Sequence, residues 1–335
     1  MPDYSDMISR TSGGSDALVP EPLAAEIIQE LPKQSAAMSL MRRVNLSTKT
    51  QRLPVLDVLP FAYWVGTGND TGLKQTSMQA WKNVTLVVEE AATIIPIPEA
   101  YLNDAEVPIW SEVQPRMVEA LGALIDSAVL FGVGKPATWG TDVYTAAHAS
   151  GNIIQEGYSD DGSTVADDFG VSVTALGDLM SQTGYNMNGF AARPGLNWKL
   201  MGLRSSGSGV PIFYPGQPLS DGSGLSNPTL YGYPAPMIEN GAWDATKAQL
   251  LGGDWGKAII GVRSDISFKL FTEGVISNDA GAVILNLMQN DAVAMRMTMR
   301  LAYATVNPQT LLGQKAGKSI TQRFPFGVVT THGVS

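Results

Sequence analysis

The 335-residue sequence contains no cysteine. Disulfides, Cys-ligated zinc, iron–sulfur clusters and a thiol nucleophile are therefore excluded. Histidine is nearly absent, with only His148 and His332. That is too few for a His-rich metal site, and any Ser-His-Asp triad would have to use one of them. Charge is scarce as well: 16% of residues are Asp, Glu, Lys or Arg, against about 25% in an ordinary soluble domain. The basic share is the smaller, 22 Lys and Arg against 31 Asp and Glu, for a net charge of −9. This argues against tight binding to a nucleic-acid backbone, which needs clustered cations. Long apolar runs are missing too. A membrane span needs ~20 apolar residues, and the most apolar run here, 123–134, is interrupted by Asp126. The N-terminus, MPDYSDMISRTSGG, has neither a basic region nor an apolar one. No signal peptide is expected, and a cytoplasmic site of synthesis is.

Hydrophobic residues make up 44% of the chain, enough for a substantial core. The length fits about two domains. A chain this long with so little charge is best understood if neighbouring molecules cover much of its surface.

Along the chain, residues 1–16 read as a Ser/Gly/Asp arm. A short helix follows, with Pro22 in its first turn and Leu23, Ile27 and Leu31 on one face, stopped by Pro32. Residues 52–59 and 81–89 read as two strands around a tip at 66–72, with Val84, Leu86 and Val88 on one face. An isolated hairpin is marginal in water. One this long, with Phe61, Tyr63 and Trp64 near its tip, packs either on its own domain or on a partner. Residues 110–131 form the strongest helix, with Val113, Met117, Leu121, Leu124, Ala128 and Phe131 in one stripe. Ser111 is its expected N-cap, Pro115 falls in the first turn, and Gly132 and Gly134 end it. Helices are also expected over 167–185, after an Asp cap and with Val173, Leu176, Leu179 and Met180 inward, and from Arg193 to Leu203. A Gly/Pro-rich loop occupies 205–224. Strands are expected at 258–270, 283–287 and 293–303. In the last, Val293, Met295, Met297, Met299, Leu301 and Tyr303 face the core, opposite Ala294, Arg296, Thr298, Arg300 and Ala302. Arg296 and Arg300 read as a salt-bridged strand face or as an inter-subunit or nucleic-acid contact.

No catalytic pattern emerges. Gly317-Lys318-Ser319 is preceded by Gly313 with only three residues between, where a phosphate-binding loop needs four, and no Gly-x-Ser-x-Gly elbow occurs. Asp160-Asp161 and Asp167-Asp168 lack the alternation of a calcium loop, Glu89-Glu90 follows a strand, and His148 reads as a surface or turn residue. No catalytic residue, metal or cofactor is expected. The residues describe a non-enzyme that associates with copies of itself.

The order of segments resembles the tailed-bacteriophage major capsid proteins of the Hong Kong 97-like fold, over about Ala17 to Leu312. Ala62-Tyr-Trp-Val-Gly66 followed by Trp81-Lys-Asn-Val-Thr-Leu86 resembles the family's extended loop, and Ile95-Pro-Ile-Pro-Glu-Ala-Tyr-Leu-Asn-Asp104 resembles the lead into its spine helix. Arg193-Pro-Gly-Leu-Asn-Trp-Lys-Leu200, Leu230-Tyr-Gly-Tyr-Pro234 and Leu251-Gly-Gly-Asp-Trp255 resemble axial-domain segments. Met288-Gln-Asn-Asp291 leading to Met295-Arg-Met-Thr-Met-Arg-Leu-Ala302 resembles the last peripheral strand. The resemblance implies an α+β fold. Its parts would be an N-terminal arm (1–44), an extended loop (45–92), a peripheral domain (93–134 and 263–335, spine helix 110–131) and an axial domain (135–262). It implies a shell of hexamers and pentamers, icosahedral and enclosing double-stranded DNA by weak non-specific contact, assembled in the bacterial host cytoplasm, with no membrane. Portal and possible decoration proteins would be further partners. Because only about 16 residues precede the first family-like segment, a separate scaffolding protein is expected. Subunit-contact candidates are Phe61, Tyr63, Trp64, Lys74 and Trp81 on the loop and Arg296 and Arg300 on the strand. Some relatives cross-link a loop Lys to an Asn with a Glu as base. Lys74, Asn278, Asn286, Asn290 and Glu273 do not align onto those positions. The alternatives are an encapsulin-like shell around a cargo enzyme and a soluble hydrolase.

Overall fold

The computed structural model describes residues 35–62, 64, 76–104, 108–156, 169–201, 229–278 and 280–331. The expected helix at 22–31, the loop tip with Tyr63 and Lys74, the acidic pairs at 160–161 and 167–168, the loop 205–224 and His332 lie outside them.

A short helix α1 (Ala36–Leu40) leads into β1 (Arg42–Asn45). A hairpin of β2 (Thr50–Val58) and β3 (Ala80–Val87) follows, then β4 (Glu89–Pro98), α2 (Glu99–Asp104) and the long helix α3 (Ile109–Phe131). Next come α4 (Val143–Ser150), β5 (Ile153–Gln155), α5 (Phe169–Gln182), β6 (Gly189–Ala192), α6 (Leu196–Met201), β7 (Thr229–Leu230), β8 (Tyr233–Pro234) and β9 (Ala248–Gly253). The chain closes with β10 (Ala258–Phe271), β11 (Val275–Ser277), β12 (Val283–Asn286), β13 (Ala292–Thr305), α7 (Leu311–Lys315) and β14 (Phe326–Thr330).

Two four-stranded sheets organise these elements. The first has order β1-β10-β13-β4, with β1 parallel to β10 and the other pairs antiparallel. β10 and β13 run 14 residues each, about 47 Å at ~3.4 Å per residue. Met295, Met297, Met299 and Leu301 of β13 pack against Met117, Leu121, Ile125 and Val129 of α3. This is the expected alternation, with two differences. Val293 is only half-buried and Ala294 is buried, because the small β11–β12 hairpin covers that end of the opposite face through Leu285, Ile276 and Leu287. Beyond Leu301 every residue to Thr305 is buried, because the base of the β2–β3 hairpin lies on the far face and joins Leu86 and Val88 to Ile259, Ala302 and Ala304.

The second sheet has order β5-β14-β9-β6. Phe326 and Val328 of β14 face α4, while Val329 faces α5 through Leu176. β14 is thus buried on both sides, and it joins strands from the 135–262 stretch rather than β10 and β13.

Helix α3 departs from its expected details. It starts at Ile109 after Pro108, and Ser111 is no cap: its Oγ donates to the Pro108 carbonyl at 2.7 Å. Pro115 sits in the second turn and leaves the exposed end of the helix one backbone bond short. The buried stripe runs through Met117, Leu121, Ile125, Ala128 and Val129, and Leu124 is exposed. The C-terminal Gly132 adopts φ +71, where a Cβ would stand 2.8 Å from Asp142 Oδ1. Only glycine fits that turn.

Candidate assembly surfaces

The β2–β3 hairpin has one face committed to the core and, toward its loop end, large apolar side chains that are exposed. Its strands register Thr50 with Val87 through Leu56 with Trp81. Val55, Leu86 and Val88 are buried, in keeping with the sequence pattern. Three polar contacts tie the loop-side end of β2 to the C-terminal segment. Gln314 bonds reciprocally with the Leu59 backbone, accepting from its N–H at 3.0 Å and donating to its carbonyl at 2.9 Å. The Gln309 N–H donates to the Leu56 carbonyl at 2.9 Å. The buried Arg323 donates through Nη2 to Asp57 Oδ1 at 2.5 Å and through Nε to the Asn307 carbonyl at 3.3 Å. Nothing in the sequence singles out Gln314 or Arg323, which lie more than 250 positions from their partners on the hairpin.

Around and beyond this anchored end, large apolar side chains are exposed. Trp64 is 98% exposed, Met78 71%, Trp81 62% and Phe61 54%. Side chains of this size are rarely left together in water. Phe61 and Trp64 thus follow the anchored end of β2, and Trp81 lies across from it on β3, all three exposed.

Arg296 and Arg300 lie on the β13 face away from α3, half-buried. Arg300 stands opposite Glu90 of β4, its Nε 3.7 Å from the Glu90 carboxylate. Arg296 covers the Phe271 ring at 4.8 Å. Both thus have intramolecular neighbours. The Arg300–Glu90 pair is well exposed, and exposed pairs contribute about 0–1 kcal/mol. Glu90→Gln is accordingly expected to move the denaturant midpoint of the subunit by less than about 1 kcal/mol in free energy. A larger loss would show the pair to be structural.

A third feature was legible in the sequence only as an interruption. Asp126, inside the apolar half of α3, is fully buried. Its carboxylate accepts from Ser35 Oγ at 2.6 Å, from the Ala36 N–H at 3.1 Å, from the Ala37 N–H at 3.0 Å and from Asn240 Nδ2 at 2.7 Å. The two backbone donors are orphan N–H groups at the start of α1. One carboxylate therefore joins the arm, the long helix and the loop before β9. Burial pushes its pKa above the usual carboxylate range, and the four hydrogen bonds oppose that shift without cancelling it.

His148 is helical in α4 rather than a turn residue. It is half-buried against the Tyr144 ring at 4.5 Å, and burial lowers its pKa. Among the described residues no group of three or more His, Asp or Glu stands in position to hold a metal, and no helix is long and apolar enough to cross a membrane. A 130 Å³ apolar cleft lies between α3 and β4, lined by Leu124, Ile125, Ala128, Trp139 and Leu301. Thr138 Oγ1 donates to Glu89 at 2.7 Å, so the Glu89-Glu90 pair is engaged in structural contacts.

A sheet with a long helix across one face, a second sheet inserted beside it and a long hairpin projecting outward form the Hong Kong 97-like α+β fold of viral shell proteins. The phage capsid family matches residues 15–313, and the chain belongs to that family. It is similar to the major capsid protein of Staphylococcus phage 80alpha, with 22% identity over 82% of this chain and 78% of that one. Its structure superposes on that of a Mycobacterium phage Adephagia chain with a TM-score of 0.80 and 30% identity, covering 98% of this chain and 99% of the other. A Microbacterium phage Oxtober96 chain gives 0.77 and 31%, covering 95% and 97%. The capsid chain of a native gene-transfer-agent particle, at 14% identity and a TM-score of 0.68, shares the fold. The protein is a phage major capsid protein and a component of the virion shell. These relatives favour a virion shell over the encapsulin-like alternative.

Proposed function

We propose that the chain assembles as hexamers and pentamers into an icosahedral head around double-stranded DNA, in the cytoplasm of a bacterial host. The observation that carries this reading is the set of exposed aromatic side chains at the anchored, loop-side end of the β2–β3 hairpin. Aromatic side chains presented on a rigid arm are the kind that dominate interface energies. In this reading the hairpin lies across a neighbouring subunit, and Phe61, Trp64 and Trp81, with Tyr63 and Lys74 from the same loop, make the contact. Arg296 and Arg300 face a second neighbour. Helix α3 with the β1-β10-β13-β4 sheet forms the peripheral part, and the β5-β14-β9-β6 sheet with α4 and α5 forms the axial part. The net charge of −9 suits a lining that confines DNA without gripping its phosphates. A scaffolding protein, a portal and decoration proteins are the further partners this assembly calls for. The family is a structural one, and the chain acts as a structural protein and not an enzyme.

The test is the triple substitution Phe61→Ser, Trp64→Ser and Trp81→Ser, read by light scattering and electron microscopy. Closed shells should be lost, while the thermal midpoint of the isolated subunit stays unchanged, because these side chains contribute little to its core. Normal shells from the triple variant would overturn the reading.

A further inference from the structure

The chain contains two Asn-Gly pairs, Asn188-Gly189 and Asn240-Gly241. At such a pair no side chain on the second residue hinders its peptide nitrogen from reaching the asparagine Cγ, so the backbone conformation decides whether it does. Gly189 begins β6 and pairs with Gly253, which holds that peptide extended in a ladder. Gly241 lies in the exposed loop between β8 and β9, at φ +81. There the Ala242 N–H donates to Asn240 Oδ1 at 3.2 Å, a turn that folds the asparagine side chain back over the Gly241 peptide. The same N–H polarises the Cγ carbonyl, as an oxyanion donor does. The amide nitrogen at the other end of the group donates to Asp126 Oδ2 at 2.7 Å.

We propose that Asn240 is a self-modification site, which deamidates through a succinimide and thereby releases the arm segment 35–37 from helix α3. The Gly241 nitrogen attacks Asn240 Cγ and its proton passes to solvent water. The Cγ–Nδ2 bond breaks, and ammonia leaves with a proton supplied by the Asp126 carboxyl, which is then reprotonated from solvent. Burial raises the Asp126 pKa and so keeps the protonated form accessible. Water opens the ring at either carbonyl to leave aspartate or isoaspartate. One water is consumed, one ammonia is released and nothing is oxidised or reduced. The product places a second carboxylate where a donor had stood against Asp126, and like charges at that distance cannot both ionise without cost. Ser35, Ala36 and Ala37 share the same Asp126 carboxylate, so its displacement loosens the arm. Loss of ammonia makes the change one-way.

The full-length protein is incubated at neutral pH and sampled by peptide mapping for aspartate and isoaspartate, with hydrogen exchange read at the Ala36 and Ala37 amides. Conversion is expected at Asn240 ahead of Asn188, and exchange protection at 36–37 should fall in step with the converted fraction. Asn240→Asp should lack that protection from the start, and Asn240→Gln should keep it over the same period. An Asn240 that retains its amide as long as Asn188 does would overturn the proposal. So would full protection at 36–37 in Asn240→Asp. The wild-type time course needs no variant to fold, and neither readout depends on shell formation.

Discussion

Asp126→Ala is expected to destabilise the subunit by about 2–4 kcal/mol, with the loss concentrated where the arm joins helix α3. The alanine leaves Ser35 Oγ, the Ala36 and Ala37 N–H groups and Asn240 Nδ2 without their acceptor. Each buried donor left unpaired costs about 1–3 kcal/mol, reduced where water reaches the exposed side of α1. The Ala36 and Ala37 N–H groups at the start of α1 would also lose the cap that Asp126 gives them, so hydrogen exchange at 36–37 should accelerate more than exchange in β13. Denaturant unfolding of the unassembled subunit measures the first effect, and equal acceleration across the sheet would refute the second. The same residue predicts a pH dependence. Its folded pKa is raised by burial above the unfolded value of about 3.9. The native state therefore binds more protons between those two values, and the stability linked to this group is lost as pH rises through the folded pKa. Wild type should gain stability relative to the non-titrating Asp126→Asn variant as pH falls from neutral toward the unfolded pKa. A wild-type advantage that shrinks over that interval would contradict the direction of the shift.

Trp255→Ala is expected to cost about 3–5 kcal/mol, among the largest losses available to a single core truncation here. Trp255 is 1% exposed, sits on the turn that carries β9 into β10, and packs its ring 5.7 Å from that of Phe326. It therefore couples the two sheets, and the cavity left by alanine opens at their junction. Its backbone N–H is held by Asn188 Oδ1 at 2.9 Å, which prevents the turn from collapsing into the space. The indole N–H, by contrast, has no partner among the described residues. Trp255→Phe removes that unpaired donor along with part of the ring, and should cost under about 1.5 kcal/mol. Denaturant midpoints of the two variants decide the matter: a loss in Trp255→Phe as large as in Trp255→Ala would refute both the volume argument and the unpaired state of the indole N–H.

Much of this architecture is written in local patterns. The two-residue alternation of Met295, Met297, Met299 and Leu301 marks a strand with one face in the core, whatever lies on the other. Gly132 stops α3 because its backbone turns left-handed there, a local requirement that sequence spacing reveals. The aromatic residues of the hairpin and the scarcity of charge already led to the expectation of a surface covered by neighbours. Where the reading failed, the deciding contact came from a distant part of the chain. Leu124 and Ile125 are adjacent and equally apolar. Only the position of the β13 methionines and of α1 puts Ile125 inside and leaves Leu124 out. β14 is five residues long, and a run that short carries no period by which to recognise a strand buried on both faces.

Composition and periodicity by themselves determined the absence of thiol chemistry, the α+β character, the long helix and the extended hairpin. Each depends on the periodicity of a continuous run of sequence, or on simple counts. The tertiary structure alone decided which strand completes the second sheet, how Arg323 and Gln314 brace the hairpin, and what Asp126 does. An acid in an apolar run reads as a flaw until the donors that satisfy it are in place. Those donors come from about 90 residues before it and 114 after it. The physical reason is that a buried charge is tolerated only where its partners converge, and that convergence exists only once the chain has folded.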